Sequence, residues 1–262
     1  MKLQPLPKIF PYKPRILFTD IDDTLTWKGR LPLEAFTALV NLQQAGVKVI
    51  PVTGASAGWC DCMLRTWPIE TIIGENGAFF SDRNSEGQIA THFVVDAAER
   101  ALNWQRLQQL KNNTIGKFAN AHSTADQPYR LTDIAFDINQ DQQIARSEAF
   151  EIAKFCEASE MNVRVSSIHI NVWCGAYNKA SSALAWLAQQ NIDSSEAMFI
   201  GDSPNDESMF SSFVHTVGVA NIEPFIDELK FAPTYVTRHS GGYGFAELAA
   251  SVIEAIPVNR SH

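Results

Sequence analysis

Apolar positions along the chain fall into two alternating patterns. The runs "RILFTD" (15–20), "VKVIPVTG" (47–54) and "IETIIGENGAFF" (69–80) are short, almost continuously apolar and rich in Ile, Val and Phe. Such runs predict strands buried on both faces. Between them, "PLEAFTALVNLQQAG" (32–46) predicts an amphipathic helix entered through Pro32 and left at Gly46. "SAGWCDCMLRTW" (56–67) predicts a second helix, with Ser56 placed to cap it. Strand-helix-strand alternation of this kind implies a parallel sheet covered by helices on both sides.

The pattern then changes. "SDRNSEGQ" (81–88) is rich in turn formers and predicts a hairpin. Asp96 with Glu99 three residues on marks the start of a helix over "DAAERALNWQRLQQLK" (96–111). "LTDIAFDIN" (131–139) and "SSIHINVW" (166–173) alternate polar with apolar residues, the period of strands with one covered face. "DQQIARSEAFEIAKFCEASE" (141–160) lies between them as a long helix. After Lys179 the first pattern returns: helix "ASSALAWLAQQ", strands "AMFIGD" and "HTVGVA", helix "EPFIDELKF", the short strand "TYVT" and helix "FAELAASVIEA". The architecture expected is an α/β core built from residues 1–81 and 176–262, interrupted by an α+β insert over 82–175.

Composition narrows the function classes. Hydrophobic residues make up 45% and charged residues 19% of the 262, ample for a globular core. The net charge of −8, without a Lys/Arg-rich patch, argues against a nucleic-acid partner. "MKLQPLPKIFPYKPR" has no apolar stretch of the signal-peptide kind, and no run approaches a membrane span. Cys60, Cys62, Cys156 and Cys174 lack framework spacing, and reduced thiols in a cytoplasmic protein are expected.

The chemistry is concentrated where buried strands end. "DIDDT" (20–24) follows "RILFT", and "GDSPND" (201–206) follows "AMFI", so each strand delivers carboxylates, Asp20 with Asp22 and Asp202 with Asp206. One such cluster alone reads equally well as a solvated turn. Two do not, because the strands of a parallel sheet open their ligand sites at one common edge, which brings the clusters together. Carboxylates converging without a His or Cys pattern suit a hard cation held by oxygen, and Mg²⁺ fits. Thr53 and Gly54 end another strand next to a helix start, where backbone N–H groups attract anions. Lys179 opens a helix and can offer a point charge to phosphate.

With these motifs in place, the sequence resembles the haloacid dehalogenase (HAD) superfamily over nearly its whole length. "DIDDT" matches the first motif, Thr53 the second, Lys179 the third and "GDSPND" the fourth. The insert between the second and third motifs, preceded by "GENGA" (74–78), resembles subfamily IIB, the Cof-type and sugar-phosphate phosphatases with a C2 cap. The resemblance implies a Rossmann-like core and a Mg²⁺-dependent phosphatase acting on a sugar phosphate or similar small phosphomonoester. It implies Asp20 as nucleophile forming an aspartyl-phosphate, and Asp22 as acid and then base. It further implies Asp20, Asp202, Asp206 and the Asp22 backbone carbonyl around the metal, and Thr53, Gly54, Lys179 and Asn205 around the phosphate. Asp23 receives no chemistry. Many relatives have Arg after the Thr-Gly pair, but Ala55 stands here, which weakens any transfer of specificity.

In that subfamily the cap meets the rest of the substrate. The period of two puts Ser167, His169, Asn171 and Trp173 on one face of "SSIHINVW", and Ile168, Ile170 and Val172 on the other. Ser167, His169 and Asn171 are the expected substrate contacts if that face looks into the cleft; a solvent-facing surface is the alternative. Asp133 and Asp137 divide from Ile134, Phe136 and Ile138 likewise, and His122, Arg130 and Trp104 are weaker candidates. A phosphomannomutase-like phosphotransferase and a non-catalytic sugar-phosphate sensor are rival functions on the same fold. The presence of both Asp20 and Asp22 argues against a sensor.

Overall fold

The structure is a computed structural model describing residues 3–166 and 168–255. Its central sheet holds strands β1 (Gln4–Pro5), β2 (Ile16–Thr19), β3 (Lys48–Pro51), β10 (Ala197–Gly201), β11 (His215–Gly218) and β12 (Tyr235–Val236). They run parallel in the order β1-β12-β11-β10-β2-β3. β2 and β10 are adjacent, with Ile16 opposite Ala197 and Thr19 opposite Ile200. Asp20 and Asp202, separated by nearly the whole sequence, therefore leave neighbouring strands at the same edge.

The sheet is buried on both faces, as its unbroken apolar runs require. One face packs Leu17, Val49, Met198 and Val217 against helices α1 (Leu33–Gln44), α2 (Ala57–Thr66) and α7 (Gly241–Ile253). The other packs Ile16, Phe18, Ile50 and Phe199 against α5 (Lys179–Gln189) and α6 (Glu207–Ser212). "EPFIDELKF", expected as an α-helix, lies largely within a 3₁₀ stretch, Ala220–Glu228, with Pro224 inside it. Proline removes an i→i−4 hydrogen bond, which disfavours a regular α-helix there.

β4 (Thr71–Gly74) continues the sheet beyond β3 through a parallel bridge between Val52 and Ile73. β5 (Phe79–Arg83) pairs antiparallel with β4, and β6 (Ile89–Phe93) pairs antiparallel with β5 as the hairpin expected at 81–88. Residue 82 thus falls inside β5, and Phe79, Ile89 and Phe93 belong to the apolar cluster of the core sheet.

A second sheet comprises β7 (Asp133–Asp137), β9 (His169–Trp173) and β8 (Asn162–Val165) in that antiparallel order. α3 (Ala97–Lys117) and α4 (Arg146–Glu157) cover one face, where Ile134, Phe136, Val163, Ile170 and Val172 form a separate apolar cluster with Leu107 and Ile152. Asp96 caps α3 by accepting from the Glu99 N–H at 2.9 Å. Every residue of β7 and β9 is buried. The polar face is therefore covered too, and what covers it is the core.

Candidate active site

The buried carboxylates meet at the carboxyl edge of β2 and β10. Asp20, Asp202 and Asp206 are buried, and one oxygen from each lies within 4.8 Å of the others. Lys179, the first residue of α5, reaches down to Asp20 Oδ1 at 2.6 Å and Asp206 Oδ1 at 2.8 Å. The helix start is fixed from outside: Asn178 caps it by accepting from Ser181 N–H, and the Ser182 hydroxyl donates to the Gly77 carbonyl at 2.6 Å. Gly77 has φ +104°, and a Cβ there would stand 2.4 Å from the Asn178 carbonyl oxygen, so only glycine allows this approach. Asp206 also accepts from the Asp202 N–H at 3.0 Å, which folds the 202–206 loop back on itself.

Four acidic side chains crowd one lysine here, Asp22 being half-buried beside the other three. Burial is the main force on Asp20, Asp22 and Asp202. It pushes Asp20 up to about 8, with Lys179 opposing and Asp206 and Asp22 adding to the rise. Burial, reinforced by Asp23, pushes Asp22 up to about 6. Asp202 is driven well above the ordinary carboxylate range by burial and by Asp20 and Asp206. Burial disfavours the Lys179 ammonium, but Asp20 and Asp206 outweigh it and keep the lysine charged. The excess of buried negative charge and the all-oxygen donor set fit a hard divalent cation held by Asp20, Asp202 and Asp206.

Neighbouring polar groups hold these acids in place. Asn221 donates to Asp202 Oδ2 at 3.1 Å and to the Asp23 carbonyl at 3.0 Å, so it joins the two acidic loops. Asp23 takes a left-handed turn with φ 57° and its carboxylate accepts from Lys28 N–H, consistent with a loop role. Thr53 is fully buried and its hydroxyl oxygen accepts from Ala55 N–H at 3.0 Å. Gly54 reaches the cavity wall, which it shares with Asp20, Asp22, Asp202, Ser203 and Asn205.

The second sheet closes this cavity. Its wall includes Ser166, His169 and Asn171. Asn171 donates to the Gly54 carbonyl at 3.4 Å and to Asp133 at 3.3 Å. Burial and Arg130 lower His169 to about 4, so its imidazole is neutral, and Nε2 lies 2.5 Å from Gln140 Oε1. Ser167 lies outside the described residues. Asp137 does not point a free carboxylate at the cavity: it accepts from the N–H groups of Asn139, Gln140, Asp141 and Gln142.

A second buried network joins the two units beside the site. Arg130 donates to Asp133 at 2.9 Å, to Asp126 at 3.1 Å and to the Gly54 carbonyl at 2.9 Å. Glu75 accepts from Ala57 N–H on the core side, and from Leu131 N–H, Thr132 N–H and the Thr132 hydroxyl on the other. This occupies the start of α2, where Ser56 was expected to cap: Ser56 holds the cap position without a side-chain bond, and Glu75 takes the first N–H instead. Glu75 and Asn221 were missed in the sequence. Asn221 follows strand β11 as the acids follow β2 and β10, so the same strand-end rule points to it. Glu75 had only the signal of a carboxylate inside the apolar run "IIGENGAFF".

The geometry has counterparts in known proteins. A family described as haloacid dehalogenase-like hydrolase matches residues 17–124 and 105–247. A phosphoglycolate phosphatase of Methanobrevibacter smithii is 31% identical over 236 residues, 87% of this chain and 94% of its own. A 5-amino-6-(5-phospho-D-ribitylamino)uracil phosphatase of Bacillus subtilis is 34% identical over 119 residues, 45% of this chain and 38% of its own. The fold is similar to that of a Thermoplasma acidophilum protein (TM-score 0.72, 19% identity, 92% of this chain and 99% of that one). It is also similar to a Synechocystis sucrose-phosphatase (TM-score 0.67, 15% identity, 92% and 98%).

Proposed function

We propose, from the premise that the chain belongs to the haloacid dehalogenase-like hydrolases, that it removes phosphate from a sugar phosphate or similar small phosphomonoester with Mg²⁺. That it is a phosphoric monoester hydrolase follows from the family and from its phosphatase-named relatives. The observation that carries the finer reading is the constellation of Asp20, Asp202 and Asp206 around Lys179 in a cavity closed by Asn171 and His169.

In this reading Asp20 attacks phosphorus and the bond to the alcohol oxygen breaks, leaving an aspartyl-phosphate. Asp22, pushed up to about 6, holds a proton for the departing alcohol and afterwards takes one from the attacking water. Lys179 offsets charge on Asp20 and on phosphoryl oxygens, and Thr53 and Gly54 form the strand-end turn that receives those oxygens. Asn205 supports the loop that carries Asp202 and Asp206. Asp20, Asp202 and Asp206 would hold Mg²⁺, which when bound would neutralise carboxylate and phosphoryl charge together. His169 and Asn171 present neutral polar groups to the part of the substrate next to the phosphoryl group.

Glycolate is the alcohol in the name of the relatives at 22–31% identity, which makes phosphoglycolate the second reading. A panel of phosphorylated sugars and phosphoglycolate, assayed for released phosphate, tests the proposal. Release should require Mg²⁺ and stop with EDTA. Ca²⁺ should inhibit, because its looser coordination disfavours in-line geometry. Full activity after rigorous chelation would refute the metal assignment.

A further inference from the structure

The cavity beside the carboxylates measures about 10 Å³. That is room for about one water molecule, far less than a phosphomonoester needs. Against it lies a cleft of about 720 Å³, within the size range of small-molecule sites. The two adjoin: Ser166, Ser203 and Asn205 line both. The cleft runs between α4 and β8 on one side and the 203–208 loop, α6 and the 3₁₀ stretch on the other. His169 and Asn171 are not in its wall, so it is a different surface from the polar face that closes the cavity.

Its lining is mixed. Phe150, on α4, and Phe225, on the 3₁₀ stretch, flank the Arg146 guanidinium at 5.4 and 5.8 Å from their ring centres. Arg146 in turn donates to Glu228 at 2.7 and 2.8 Å, so rings and ion pair make one band across the cleft. Arg164 stands opposite Asn171 in the strand register, hence on the same sheet face, but at the edge and exposed. Its guanidinium donates to the adjacent Val163 carbonyl at 2.8 Å, which leaves further donors for a ligand.

We infer that this cleft seats the alcohol half of the substrate and that this alcohol carries a ring. Aromatic walls pair with the flat or C–H face of a ring, and a guanidinium with its oxygen-bearing edge. A two-carbon alcohol would leave the cleft to water. The inference rests on the phosphatase reading, since it needs the phosphoryl group at Asp20 to fix where the alcohol goes.

The test compares esters of primary alcohols, so that leaving-group chemistry is matched. Glucose 6-phosphate and uridine 5′-monophosphate carry rings; glycerol 3-phosphate and phosphoglycolate do not. With Mg²⁺, kcat/KM should be at least about tenfold higher for the better ring-bearing ester than for either short one. Ser208→Trp, which fills the cleft from α6, should reduce that ratio by about tenfold. Phe150→Ala, at an exposed position where folding is not at stake, should reduce it about threefold or more. Short esters turned over as well as ring-bearing ones by the wild type, or a ratio that neither variant moves, would overturn the inference while leaving the phosphatase reading intact. Failure to release phosphate from any of the four would overturn the phosphatase reading and the inference with it.

Discussion

At the scale of single residues, the site is a problem of excess charge. Asp20 stands at about 8 because burial outweighs the attraction of Lys179. A carboxyl raised from 3.8 in this way stabilises the fold fully below its unfolded value. The contribution is then lost as pH rises through about 8. A cation on the same oxygens removes that loss, since it favours the ionised form. Mg²⁺ should therefore raise the melting temperature more at pH 8 than at pH 6, and thermal scans at both values with and without EDTA check this. An equal gain at both would mean that Asp20 is not titrating against the metal. The acid/base role belongs to the same scale. Asp22→Asn should lower kcat by about 10²–10⁴-fold with a poor leaving group, and far less with p-nitrophenyl phosphate, whose phenolate departs without a proton. Equal losses on both esters would remove Asp22 from that role.

At the scale of elements, the site depends on what closes over it. Glu75 takes hydrogen bonds from Ala57 of the core and from Leu131 and Thr132 of the insert, and is buried. Gln in its place would present an amide NH₂ to a group of donors. Leaving one buried donor unpaired costs about 1–3 kcal/mol. Glu75→Gln should lower the unfolding free energy by that amount, read as a lower urea midpoint with an unchanged slope. Wild-type stability in the variant would show that this network does not join the two units. The element scale also shows where the sequence was readable. The strands β2, β3 and β10 were plain because burial on both faces leaves uninterrupted apolar runs. β8 escaped because "NVRV" is four residues long with polar positions outward, too short to show a period. The acids of the site were legible because a strand end gives them an address. Arg130 and Glu75 were not assigned their roles, since a buried charge is recognisable only by partners distant in sequence, here Gly54 and Thr132.

At the scale of the whole molecule, the insert covers the catalytic edge so closely that about 10 Å³ remains beside the carboxylates. A cavity this narrow predicts that the two units separate and close again as a phosphoryl group is admitted. The amides of Leu131 and Thr132, bonded across the boundary to Glu75, should exchange with solvent through that opening. Mg²⁺ with beryllofluoride, which mimics a phosphoryl group on a carboxylate, should slow their exchange; no change would mean that closure is not coupled to the site. The polar face of the second sheet illustrates the same scale. Its alternation suggested a sheet with one covered face, yet His169 and Asn171 are buried, because the covering surface belongs to the core. A pattern within one strand cannot reveal a partner supplied by another part of the chain.

The central claim is that Asp20 becomes phosphorylated. It is tested most directly by mixing the protein and Mg²⁺ with a turned-over ester in a single turnover, quenching in acid and reducing with borohydride. Borohydride converts an aspartyl-phosphate to homoserine, and peptide mass spectrometry locates the change. The account predicts homoserine at position 20 in the wild type and none in Asp20→Asn, which should also release no phosphate. Modification at another residue, or turnover that persists in Asp20→Asn, would contradict it.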